Sequence, residues 1–165
     1  QAIKVAQGID FVEKMEDKYE SHIARGGTNI SGGQKQRLAI ARAIARNPEI
    51  YIFDDSFSAL DFKTDKSLRQ ALSAETGEAT VVIVAQRVST IIDADRIIVM
   101  NKGEAVMDGK PSQIFCREDE LYSMGLDIPE ISKIMNKLRN LGYDIPKDVF
   151  DIKKLADILT GEKDA

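Results

Sequence analysis

A chain of 165 residues is long enough for one good core and a small appendage. Hydrophobic residues at 43% and charged residues at 30% place it among ordinary globular chains, and a net charge of −4 argues against a strongly basic nucleic-acid surface. One cysteine, Cys116, excludes an internal disulfide, and no apolar run approaches the ~18 residues of a membrane span. There is no charged-then-apolar leader of the signal-peptide kind. The sequence starts at Gln1, without an initiator methionine and in what reads as the middle of a helix, so a truncated or released segment is expected. His22, the single histidine, has no Cys or His companion at metal-ligand spacing and reads as a loop or surface residue.

Residues 2–19 carry Ile3, Val5, Ile9, Val12 and Met15 among charges, a pattern of one or two short amphipathic helices. Residues 21–29 form a loop by composition. Ser31 then stands as an N-cap, with Gln34 three residues on completing a capping-box pattern. The helix so opened has Leu38, Ala41, Ile44 and Ala45 on one face and ends at Asn47-Pro48. Residues 50–53 are a short continuous apolar run, which predicts a strand buried on both faces, and it ends in the carboxylates Asp54 and Asp55.

A second helix over about 62–75 is broken by Gly77, and residues 80–85 predict another buried strand. Strand, helix and strand in that order make a parallel βαβ unit, and ligands gather at the carboxyl ends of such strands. Asp54, Asp55 and Gln86 all fall there. Residues 96–107 read as a hairpin turning at Asn101-Lys102-Gly103. Short helices follow over 112–115, 119–124, 129–141 and 152–159, and Ile131, Ile134, Leu138 and Leu141 sit at helical spacing as a local core. The boundary implied is a first domain over 1–110 and a helical accessory domain over 111–165.

The motifs now have a family pattern. Ser31-Gly32-Gly33-Gln34 resembles the signature motif of ATP-binding-cassette (ABC) ATPases. Residues 50–55 resemble their Walker B strand, Ser58-Ala59-Leu60-Asp61 their D-loop, and Gln86 stands at their switch position. Residues 1–93 look like the second half of a multidrug-exporter-type nucleotide-binding domain. From about 94 onward, Val99-Met100-Asn101-Lys102-Gly103 and Gly125-Leu126-Asp127-Ile128-Pro129-Glu130-Ile131 resemble the C-terminal region of energy-coupling-factor importer ATPases. Either the chain is a chimera of two ABC families, the favoured account of that change, or one subfamily bridges them. The fold implied is α/β: a partial P-loop NTPase (ABC cassette) with parallel strands and crossover helices, plus a small, mostly helical C-terminal appendage.

The resemblance implies ATP and Mg2+ as cofactors. Asp54 would hold the metal through water, as suits a hard, oxygen-seeking ion. Asp55 takes the place of the usual glutamate that polarises the attacking water, one methylene short. Gln86 replaces a histidine that contacts the γ-phosphate, and cannot carry a positive charge. Both departures point to a degenerate site. Ser31, Gly32, Gly33 and Gln34 match the family and would complete a partner's ATP site, with Asp61 at the dimer seam. No Gly-x-x-x-x-Gly-Lys-[Ser/Thr] phosphate loop occurs in these residues, so the chain by itself is expected to bind ATP feebly and not to turn it over. A sheet lacking the other strands of a cassette is expected to have a raw edge and an uncovered face, hence marginal stability or association.

The partners implied are a second ABC ATPase subunit, as homo- or heterodimer, and a transmembrane transporter domain. Neither nucleic acid nor a direct membrane span is expected. The location implied is cytoplasmic, at the inner face of the cell membrane. The alternative is a non-enzymatic dimerisation or interaction module that pairs with another ABC ATPase. A chromosome-maintenance or repair ATPase fits less well, because no coiled-coil heptads flank the signature.

Overall fold

The chain opens with two one-turn helices, α1 (Ala2–Val5) and α2 (Ile9–Val12), in a computed structural model that describes residues 1–146, 149–150 and 152–161. Single 3-10 turns at Lys18–Glu20 and Arg25–Gly27 lead to α3 (Gly32–Ala45). Strand β1 (Ile50–Asp54), helix α4 (Phe62–Thr76) and strand β2 (Thr80–Val84) complete the first of two units, Gln1–Ala85. β1 and β2 pair in parallel with Ile50 opposite Thr80 and Asp54 opposite Val84, so their carboxyl ends are level. The expected βαβ arrangement is present.

The core of this unit gathers Val5 and Ala6, then Ile40, Ala41 and Ile44 of α3, Tyr51 and Phe53 of β1, and Leu68 and Leu72 of α4. Tyr51 and Phe53 stack at 5.9 Å, and Phe57 meets Phe53 at 5.5 Å. Of the face expected on α3, Ala41 and Ile44 are buried, Leu38 is half-buried and Ala45 is exposed, while Ile40 joins the core instead. Asp65 of α4 is buried and answered by Arg69 one turn later, whose Nη2 donates to Oδ2 at 3.2 Å. That pairing offsets the desolvation of a buried carboxylate.

Burial of β1 on both faces does not hold. Tyr51 and Phe53 face the core, but Ile50 is 59% and Ile52 71% exposed, and on β2 Val82 is 46% and Val84 54% exposed. Side chains alternate along a strand, and among the described residues of this unit only one face of the pair is covered by helices. The uncovered face anticipated from the sequence is therefore present.

The second unit, Gln86–Ala165, begins with α5 (Val88–Ile91) and the antiparallel hairpin of β3 (Ile97–Asn101) and β4 (Glu104–Gly109). Its two-residue turn places both Lys102 (φ 50°) and Gly103 (φ 86°) in the left-handed region, the requirement of a type I′ turn. Helices α6 (Pro111–Ile114), α7 (Glu118–Ser123), α8 (Glu130–Asn140) and α9 (Ile152–Thr160) follow. The hairpin shares a core with the next helices through Ile97, Val99, Met107, Ile114, Phe115, Leu121 and Ile128. The boundary read from sequence, at residue 110, thus falls inside this second unit.

The tail core needs correcting. Ile131 is buried and Leu138 half-buried, but Ile134 is 48% and Leu141 75% exposed. Met135, at i+4 from Ile131, takes the inward position together with Ile145, Val149 and Leu155. A three-residue step from Ile131 rotates the wrong way for this contact, and a four-residue step lands on it.

Candidate functional site

The helix that opens at Ser31 is capped as its sequence requires. Ser31 Oγ accepts from the Gln34 N–H at 3.3 Å, and Gln34 Oε1 accepts from the Ser31 N–H at 2.8 Å. The capping box satisfies one of the first-turn amides of α3. The amides of Gly32 and Gly33 have no protein acceptor among the described residues. They form the positive end of a 14-residue helix, which favours an anion. Ser31 is exposed, and its hydroxyl, accepting from Gln34, keeps its own proton for a further acceptor.

Below this turn α3 is fixed on two sides. Toward the N-terminus, Arg37 Nη1 donates to the Gln7 carbonyl at 2.5 Å and to Asp10 Oδ1 at 3.0 Å, with the guanidinium 4.6 Å over the Phe11 ring. Toward the loop after β1, Gln36 Oε1 accepts from the Ala59 N–H at 2.9 Å, and Gln36 Nε2 donates to the Asp55 carbonyl at 3.2 Å and Ser58 Oγ at 3.0 Å. Gly33 lies against the same loop; a Cβ on it would stand 3.1 Å from the Ala59 carbonyl oxygen. Sequence reasoning gave no role to Gln36. The available signal was its i+3 spacing from Gly33, which puts both on one helix face.

Asp54 ends β1 with an exposed side chain. One carboxylate at a strand end fits Mg2+, which takes one or two carboxylates and completes its shell with water and phosphate oxygens. No group of three or more His, Cys, Asp or Glu able to hold a metal is found among the described residues. Asp55 extends the ladder, its N–H donating to the Val84 carbonyl at 3.1 Å, and then turns left-handed at φ 46°. Asp tolerates that region better than most side chains do.

Asp61 N-caps α4: its Oδ1 accepts from the Thr64 N–H at 3.0 Å. The hydrogen bonds from Thr64 hold this carboxyl below the usual carboxylate range. Gln86 follows β2 by two residues, is exposed, and opens the second unit. The structure thus brings Gly32 and Gly33 against Ala59 and ties Asp55, Ser58 and Ala59 to the same helix through Gln36, with Ser31 and Gln34 paired at the helix start, Asp54 at the end of β1 and Asp61 at the start of α4.

Residues 3–58 match the family model described as ABC transporter. An uncharacterised ABC transporter ATP-binding protein of Mycobacterium bovis is 47% identical over 109 residues, which cover 66% of this chain and 18% of that protein. The leukotoxin translocation ATP-binding protein LktB of Mannheimia haemolytica is 42% identical over 122 residues, 74% of this chain and 17% of that protein. The chain therefore spans under one fifth of the length of these curated relatives. A match of 122 residues within 165 extends past residue 93, where the exporter-like stretch read from motifs ends. The solved structure of a bacterial Atm1-family ABC exporter with ATP bound aligns with a TM-score of 0.68 and 33% identity over 74% of this chain and 22% of that one. The parallel strand pair and these likenesses agree: over the matched stretch the chain is similar to the ATP-binding proteins of ABC transporters.

Proposed function

We propose that this chain is the signature-and-Walker-B segment of an ABC transporter's ATP-binding subunit and that it serves a nucleotide at a dimer interface. The observation that carries the reading is the start of α3, where Ser31 caps the helix and leaves the Gly32 and Gly33 amides unpaired beside a free hydroxyl proton. Ser31, Gly32 and Gly33 present donors to the γ-phosphate of ATP held by a second ABC subunit, and Gln34 keeps those donors in place through the capping box. Asp61 sits at the seam between subunits.

On its own strand end, Asp54 fits the Mg2+ that neutralises nucleotide charge, and Asp55 fits the base that orients the attacking water. Asp55 is one methylene shorter than a glutamate, and a base drawn back by about 1 Å can lose on the order of 10² in rate. Gln86 can donate to a phosphate oxygen but adds no charge. A site built on Asp54 with Asp55 in the base position is therefore degenerate, and the signature end is the competent contribution. A transmembrane partner and a position at the cytoplasmic membrane face belong to the same proposal; among the described residues no helix is long and apolar enough to cross a membrane.

The test adds this chain to an ABC cassette that has an intact phosphate loop and Walker B strand but an inactivated signature. Restored ATP turnover supports the proposal. Stable binding with no turnover supports the second reading, a pairing module without catalysis, and overturns the first.

A further inference from the structure

One carboxamide joins two stretches of the first unit. Gln36 Nε2 donates to the Asp55 carbonyl at 3.2 Å and to Ser58 Oγ at 3.0 Å, while its Oε1 accepts from the Ala59 N–H at 2.9 Å. The loop 55–59 is thereby held at both ends by one side chain. Within the loop, Ser58 Oγ donates to the Asp55 carbonyl at 3.0 Å and the Ser58 N–H approaches the same oxygen at 3.4 Å. Of these donors to Asp55 only Gln36 comes from another element. One helical turn before it, the bare Cα of Gly33 lets α3 approach Ala59 closely.

We propose that Gln36 is a positioning residue, which keeps Asp55 and the loop leading to Asp61 in register with the phosphate-facing start of α3. Asp55 holds φ 46°, a backbone state that a non-glycine residue keeps when its surroundings fix it. Gln36 supplies that constraint, and so a ligand drawn to the Gly32 and Gly33 amides displaces the helix start and the loop as one body. The role requires a donor and an acceptor on one planar group at this reach. Glutamate retains the acceptor alone, and asparagine is one methylene short. The consequence for ATP rests on the reading of residues 31–34 given above; the clasp itself does not.

The test has two arms. In the full chain, amide hydrogen exchange is compared for wild type, Gln36→Ala and Gln36→Glu. Ala59 is expected to exchange about tenfold faster in Gln36→Ala, the effect of one hydrogen bond of ordinary net strength. Gln36→Glu, which still accepts from Ala59, should fall between. The Ile44 amide, farther along α3, serves as the control that the helix is still formed. Unchanged exchange at Ala59 in Gln36→Ala overturns the clasp.

In the second arm the same chains are added to the cassette with an inactivated signature. Gln36→Ala is expected to lower turnover at saturating ATP by about tenfold while leaving KM for ATP unchanged, with Gln36→Glu partly rescuing it. Equal turnover, or a loss confined to KM, overturns the positioning role. If wild type itself restores no turnover, the phosphate-facing reading fails, and the exchange arm still decides the clasp.

Discussion

At position 55 the backbone and the proposed role compete. The backbone is left-handed at φ 46°, where aspartate is better tolerated than glutamate, while the water-activating role proposed for this residue favours the longer carboxylate. In a cassette made by joining a phosphate-loop half to this chain, Asp55→Glu should raise turnover by up to ~10². In the chain alone it should lower the urea midpoint slightly, because glutamate is less at ease in that backbone region. No gain in turnover would remove Asp55 from the base position. Asp61 makes a separate, pH-dependent contribution. Its carboxyl is held low in the folded state by the Thr64 hydrogen bonds, so the stabilisation is fully present above the unfolded value of about 3.9 and is lost as pH falls through the lower folded value. The difference in urea midpoint between wild type and Asp61→Ala should accordingly be constant at neutral pH and shrink below about pH 4. A gap that widens in acid would show that Asp61 is not the cap.

Among the elements, α4 is the strut on which the parallel pair depends. It spans the crossover from β1 to β2, and Leu68, with no exposed surface, lies in the cluster with Tyr51, Phe53 and Ile44. Leu68→Ala should destabilise the first unit by about 2–5 kcal/mol, read as a shift in urea midpoint followed at its backbone amides; a shift under about 1 kcal/mol would mean that the site collapses around the smaller side chain. This element was legible in the sequence: Gly77 marks its end, and the helix lies within a residue of the expected 62–75, while the cap at Asp61 emerged only in the structure. The capping box at Ser31 and Gln34 was equally local, and it formed. What could not be read were features set by tertiary partners. The Gln36 clasp depends on a loop more than a helix length away in sequence. The choice of Met135 over Ile134 depends on where Ile145 and Leu155 arrive. The left-handed turn at Asp55 has no glycine to announce it. Local chemistry declares helix starts and stops, while long-range packing decides which residue of an amphipathic stripe turns inward.

For the molecule in solution, the sheet of the first unit sets the main liability. The run at 50–53 has the composition of a strand covered on both faces, and the described residues cover one. Ile52 lies opposite Val82 in the parallel register, with Ile50 and Val84 one alternation away on the same side, so the exposed apolar side chains are contiguous across both strands. β1 and β2 pair only with each other among the described residues, which leaves each strand with an outer edge of unpaired backbone groups. Contiguous apolar surface beside open edges drives association, because burying it releases water and pairing the edges satisfies amides. Light scattering of the purified chain should therefore show mass rising with concentration. The double substitution Ile52→Thr and Val84→Thr keeps β-branched side chains, and so strand propensity, while removing apolar surface from that face. It should shift the distribution toward monomer with the helical signal unchanged. If the variant associates as strongly as wild type, the face of Ile50, Ile52, Val82 and Val84 is not what brings the chains together, and the open edges of the strand pair become the surface to block next, by proline substitution at an outward-facing amide of β2.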